Sequence, residues 1–163
     1  MSVKSIDKDY DTLTITALAE FDAAPEKVWG LWADPCRLEG WWGPPTYPAT
    51  VQRHDFSPGG SVTYYMTGPD GETYHGWWEV LVVRPPEQLV FRDGFADKDG
   101  TRLEDMPVTE VTVTLTDRGG GTDVEVVTAL ADRAQMEQLI SMGAVEGTHL
   151  AMSQMDAVLA ATA

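Results

Sequence analysis

Between Thr50 and Ala129 the chain is cut into short β-patterned runs. Only after them does one helical period set in, from about Arg133 to Ala160. That order constrains the fold more than any other feature. A run of antiparallel strands with one wet face has an apolar face to cover. The predicted C-terminal helix is the one element long enough to cover it. On a wheel of about 3.6 residues per turn, Met136, Leu139, Ile140, Gly143, Gly147, Leu150, Gln154 and Val158 share a side. Gly143 and Gly147 lie in the middle of that side, where bulk is expected. Glycine within a helix costs about 1 kcal/mol against alanine. The pair therefore predicts either close packing on the sheet or open space for a guest.

The strand runs are well punctuated. Leu13–Phe21 alternates and reads as a strand, and Pro25 then opens a helix at its first turn. Asp34-Pro35 ends that helix and starts a short second one reaching about Glu39. Strands follow at Thr50–His54, Ser61–Met66, Tyr74–Arg84, Leu89–Phe95, Val108–Thr116 and Thr122–Ala129. Pro58-Gly59-Gly60, Gly68-Pro69-Asp70-Gly71, Pro85-Pro86, Asp97-Lys98-Asp99-Gly100 and Gly119-Gly120-Gly121 separate them. Val111, Val113 and Leu115 share one face of their strand, and Thr112, Thr114 and Thr116 the other. The predicted class is α+β: a curved antiparallel sheet of six to seven strands around a long C-terminal helix, with two short helices after the first strand. Residues 1–163 are expected to form a single domain with its core at about 12–160.

Charge narrows the partners. Eleven basic against 26 acidic residues leave a net charge of −15, which should repel nucleic acids and anionic membranes. No apolar run approaches the roughly 18 residues of a membrane span. The N-terminus lacks the basic start and apolar stretch of a secretory signal, so a cytoplasmic location is expected. A single cysteine, Cys36, excludes an internal disulfide and a zinc site built on paired cysteines.

The order and spacing of certain motifs carry a resemblance. They are Pro25–Trp32, Asp34-Pro35, Trp41-Trp42-Gly43-Pro44, Pro58-Gly59-Gly60, Pro69-Asp70-Gly71, Pro85-Pro86-Glu87, Thr109–Val113 and Gly121-Thr122. With Met136–Leu139, Met142-Gly143, Glu146-Gly147 and Gln154-Met155-Asp156, they resemble the activator of heat-shock protein 90 ATPase-like group. That group belongs to the START-like (SRPBCC, Bet v 1-type, polyketide cyclase-like) superfamily. The branch is similar to the one containing the calicheamicin-resistance protein. The resemblance runs from about Leu13 to Leu159 and implies the helix-grip fold. It implies binding of apolar small molecules or a co-chaperone role, and it supplies no catalytic residue to carry over. The chain departs from the common pattern at Gly147-Thr148, where a glycine-tryptophan pair is frequent, and at Ser57, where a basic residue is frequent.

Six tryptophans offer walls for a flat apolar ligand. Trp29 and Trp32 read as helix–sheet packing. Trp41 and Trp42, beside Gly43-Pro44-Pro45, read as a loop at a pocket mouth, and exposed loop tryptophans would also suit a homodimer contact. The candidate ligand-binding set is Trp32, Trp42, Tyr64, Met66, Trp78, Phe91, Leu139, Gly143, Gly147, Leu150 and Gln154. A Tyr64–Gln154 polar pair is the candidate for orienting a ligand carbonyl or hydroxyl. Glu110 is expected to face outward, and Arg92 and Asp93 opposite ways. The histidines His54, His75 and His149 make no chelating pair with their neighbours. No nucleophile elbow, phosphate loop or dinucleotide fingerprint is present. No catalytic residue, metal or cofactor is assigned. The expected partner is a small apolar molecule. The alternatives are a chaperone-binding module, which a thin supply of basic residues does not favour, and a cofactor-free cyclase or hydrolase.

Overall fold

The computed structural model describes residues 3–161. Eight strands form one antiparallel sheet: β1 (Val3–Asp9), β2 (Thr14–Phe21), β3 (Ala49–His54), β4 (Ser61–Thr67), β5 (Thr73–Arg84), β6 (Gln88–Ala96), β7 (Thr109–Asp117) and β8 (Thr122–Ala129). Their order is β1-β2-β8-β7-β6-β5-β4-β3. The helices α1 (Pro25–Ala33) and α2 (Pro35–Glu39) carry the chain from β2 to the far edge at β3. This is the expected α+β helix-grip architecture, with one strand more than the sequence pattern reveals. Strand β1 escapes that pattern because only Val3 and Ile6 of its seven residues are apolar, the rest being charged or polar and mostly exposed. Such a charged strand suits a sheet edge, where it discourages pairing with other chains.

The local signals act where the sequence places them. Pro25 stands in the first turn of α1, and the Asp34 carboxylate accepts from the Cys36 backbone N–H at 2.9 Å to start α2. On β7, Val111, Val113 and Leu115 are buried while Thr116 is exposed. The main core joins these residues to Val28, Trp29, Leu31 and Trp32 of α1 and to Ala151, Met152, Met155 and Leu159 near the C-terminus. A smaller cluster of Ile15, Leu130 and Met136 sits beside it.

The C-terminal rod is not one helix. It divides into α3 (Arg133–Ser141), α4 (Ala144–Met152) and α5 (Met155–Ala161). The first break is Gly143, at φ +84°. This left-handed conformation ends a helix and is disfavoured for residues with a β-carbon. The Asp132 carboxylate caps α3 by accepting from the Gln135 backbone N–H at 2.8 Å. The second break, at Ser153-Gln154, carries a Ser153 hydroxyl that donates to the His149 carbonyl at 2.6 Å. The wheel drawn for an unbroken helix therefore keeps Gly147 on the inner side but misplaces Gly143, Leu150 and Gln154. Residues 144, 147, 148 and 151 of α4 face the sheet, and Leu150 turns out to solvent, 49% exposed.

Candidate functional site

Between the sheet and helices α3 and α4 lies a cavity of about 330 Å³. This is the lower end of the about 300–1,000 Å³ range of small-molecule sites. Trp32 of α1 and Trp41, Trp42 and Pro44 of the following loop line one side. Tyr64 and Met66 of β4, Phe91, Asp93 and Phe95 of β6, and Thr109 and Val111 of β7 line the floor. Val126 and Thr128 of β8 extend it, and Leu139, Met142, Ala144, Gly147, Thr148, Ala151 and Met152 close the roof. Met142 is half exposed, so the cavity meets solvent beside it.

Trp42 organises one wall. Its ring makes edge-on contacts with Trp41, Tyr64, Trp78 and Phe91 at centroid distances of 5.5, 5.6, 5.0 and 6.3 Å. Behind it Trp78 and Phe91 stack at 3.9 Å. Edge-on and offset pairs each contribute about 0.5–1.5 kcal/mol beyond burial, so this wall is preformed. Trp41 is buried and its indole N–H donates to the Leu31 carbonyl at 2.8 Å. The loop pair is thus wall rather than mouth. Neither ring stands free on the surface, and a dimer contact through loop tryptophans loses its basis.

Gln154 holds that loop in place. From the break between α4 and α5, its Nε2 donates to the Gly43 carbonyl at 2.7 Å and lies 3.3 Å from the Trp41 carbonyl. It makes no pair with Tyr64, because its amide is used on backbone. Gly143 lies at the helix break and off the cavity, and Trp78 supports the wall from behind. Of the expected ligand-binding set, the structure brings Trp32, Trp42, Tyr64, Met66, Phe91, Leu139 and Gly147 around the cavity; Trp78, Gly143, Leu150 and Gln154 stand elsewhere. A β-carbon at Gly147 would meet nothing within 4 Å, so the space above it is open.

The residue that sequence reasoning passed over is Asp93. Tyr64 donates its hydroxyl to Asp93 Oδ1 at 2.8 Å. The two residues stand on strands β4 and β6, separated by β5, so the phenol must cross a strand. Gly76 of β5 pairs directly with Tyr64, and a β-carbon there would overlap the phenol hydroxyl. The missing side chain is what lets Tyr64 reach across. Alternation along β6 puts Asp93 on the face of Leu89 and Phe91, both fully buried. That was the available signal. Arg92 points the other way, to Glu79 at 3.2 Å and to Glu110 at 4.0 Å on the outer face.

Burial dominates the electrostatics here. Desolvation pushes the Asp93 carboxyl up to about 7, against the smaller downward pull of the Tyr64 hydrogen bond. Desolvation, followed by the charge of Asp93, raises the Tyr64 hydroxyl well above its ordinary value. The Trp42 indole N–H pulls Tyr64 slightly down, yet it has no hydrogen-bond partner of good geometry among the described residues. The cavity thus holds one carboxyl that titrates near neutrality and one phenol committed to it. A second depression, about 460 Å³, lies among Lys4, Glu20, Asp22, Lys27, Arg118 and Asp156. Its charges are of mixed sign, with Lys4 3.4 Å from Glu20, and it reads as a solvated surface groove.

Comparison with known proteins agrees with this architecture. The family described as Activator of Hsp90 ATPase homolog 1-like protein matches residues 22–160. The crystal structure of protein Ms6760 from Mycobacterium smegmatis is 46% identical, with a TM-score of 0.90 over 99% of both chains. A solution structure of a protein from Arthrobacter aurescens is 43% identical, with a TM-score of 0.94 over 99% of this chain and 94% of that one. CalU16 from Micromonospora echinospora shares the fold, at 18% identity and a TM-score of 0.63 over 98% and 87% of the two chains. No curated protein matches. Among the described residues no helix is long and apolar enough to cross a membrane.

Proposed function

The chain belongs to the Activator of Hsp90 ATPase homolog 1-like family, and from its cavity we propose that it binds a small apolar, aromatic molecule between the sheet and helices α3 and α4. One observation carries this reading: a preformed, tryptophan-walled space of about 330 Å³ whose titratable lining is Tyr64 and Asp93. Apolar walls supply affinity, and a few fixed polar groups orient the guest. The test is titration of tryptophan fluorescence with a panel of flat apolar compounds. Saturable quenching that Gly147→Leu removes is the expected result. Quenching that is unchanged by Gly147→Leu overturns the reading. A chaperone-binding role predicts instead a changed heat-shock protein 90 ATPase rate that Gly147→Leu leaves untouched.

The Tyr64–Asp93 pair favours one second reading, cofactor-free cyclisation or hydrolysis of the bound molecule. A carboxyl titrating near 7 inside an apolar site can both accept and return a proton at neutral pH. Turnover that Asp93→Asn abolishes while binding persists would support it. Binding without turnover leaves the carrier reading.

A further inference from the structure

We propose that the cavity selects a flat apolar amine, whose ammonium group pairs with Asp93 while its ring lies against the aromatic wall. The inference rests on the cavity being a binding site and adds the chemistry of its occupant.

The charge arrangement carries it. Among the described residues, none of the cavity-lining side chains is Lys, Arg or His, and Asp93 is the one acid. A carboxylate or phosphate guest would meet no cation and one carboxyl. No cation among the described residues neutralises Asp93. Arg92 is engaged with Glu79 on the outer face, and the Arg102 guanidinium lies over the Trp77 ring at 3.8 Å. Asp93 Oδ1 takes the Tyr64 hydroxyl, while Oδ2 receives no hydrogen bond from any described residue. Asp93 is only partly buried and lines the cavity, so this oxygen is available to a guest.

The surroundings favour a cation further. Tyr64 stands at the carboxyl and Trp42 packs against Tyr64 in the same cavity lining, and an ammonium over an aromatic face gains about 0.5–2 kcal/mol. The net charge of −15 draws cations toward the protein before they bind. Among the described residues, the one titratable group facing Asp93 is Tyr64 on β4. From β7 the Thr109 hydroxyl reaches the Asp93 backbone carbonyl at 3.4 Å, and from β5 the paired residue is Trp78. The roof residues of α3 and α4 bring no charge to the cavity. A bound ammonium therefore holds Asp93 ionised, and binding releases a proton whenever the empty site is protonated.

Three probes of matched shape test this by calorimetric titration of the full chain: 2-naphthylmethylamine, 2-naphthylmethanol and 2-naphthoate. At about pH 8 the amine should bind about tenfold or more tighter than the alcohol, and the naphthoate weakest. Between about pH 8 and about pH 6 the amine should weaken roughly tenfold, following protonation of a group near 7, while the alcohol stays constant. Asp93→Asn should reduce the amine to the level of the alcohol. Tyr64→Phe keeps the carboxylate and should retain the amine preference, which guards against an Asp93→Asn chain that fails to fold. Equal amine and alcohol binding, both abolished by Gly147→Leu, overturns the amine proposal and leaves the cavity reading standing. Preference for naphthoate does the same. No binding of any probe overturns both.

Discussion

The phenol of Tyr64 lies over the bare backbone of Gly76, where a β-carbon would overlap its hydroxyl. Gly76→Ala should therefore push the phenol aside and break its 2.8 Å bond to Asp93. Alanine is ordinarily better than glycine in a strand by roughly 0.5–1 kcal/mol. The lost hydrogen bond to a charged group and the steric displacement oppose that with about 2–3 kcal/mol. The expected result is a net loss of about 1–2 kcal/mol in chemical denaturation. A more stable Gly76→Ala chain would refute the role given to this glycine.

Gln154 and Gly43 are joined across 111 residues by a 2.7 Å hydrogen bond. The bond ties the break between α4 and α5 to the loop that carries Trp41 and Trp42. Gln154→Leu preserves size and removes the donor, leaving a carbonyl without its partner. We expect about 1–2 kcal/mol of lost stability and a changed tryptophan emission as the loop loosens. A side chain serving only to orient a guest would alter ligand preference at unchanged stability. Denaturation curves that overlay the unsubstituted chain would return Gln154 to that role.

The two helix glycines should behave differently. Gly147→Leu points bulk into open cavity and should abolish ligand quenching with little loss of stability. Gly143→Ala leaves the cavity untouched and places a β-carbon at φ +84°. It should cost roughly 1–2 kcal/mol without weakening a ligand. Equal effects of the two substitutions on binding would mean that α3 and α4 do not break as described.

That contrast shows what periodicity can and cannot convey. The strands from β2 to β8 were legible as short β-patterned runs between proline and glycine turns, most clearly β7, where threonine and valine alternate. Tyr64, Met66 and Phe91 were legible by the same rule. The helical part of the cavity was only half legible. Gly143 reads as one more residue on a wheel until its left-handed backbone resets the phase, and Leu150 then turns outward while Thr148 and Ala151 turn in. Asp93 lay in plain alternation with Leu89 and Phe91. A charged residue on an apolar face is easily read as an exception, yet here it is the chemistry. Gln154 could not be assigned from sequence, because its partner is a loop carbonyl whose position depends on the whole fold.

The carboxyl of Asp93 makes a definite prediction for pH. Its folded-state pKa of about 7 lies above the ordinary 3.8, so the folded chain binds this proton more tightly than the unfolded chain does. Stability falls as pH rises from about 4 to about 7, as the unfolded state loses a proton that the folded state still keeps. Above about 7 both states are ionised and the contribution is flat. The full shift corresponds to at most ~4 kcal/mol, less whatever cavity water recovers. Other carboxylates impose their own pH dependence, so the quantity to measure is the difference between Asp93→Asn and the unsubstituted chain. Asparagine keeps an oxygen to accept from Tyr64 and carries no charge. The substitution should be close to neutral near pH 4 and stabilising by on the order of 1–3 kcal/mol near pH 8. Urea denaturation across that range reads the difference. A constant difference from low to high pH would mean that Asp93 is solvated like a surface carboxylate, and the cavity would lose its neutral-range acid.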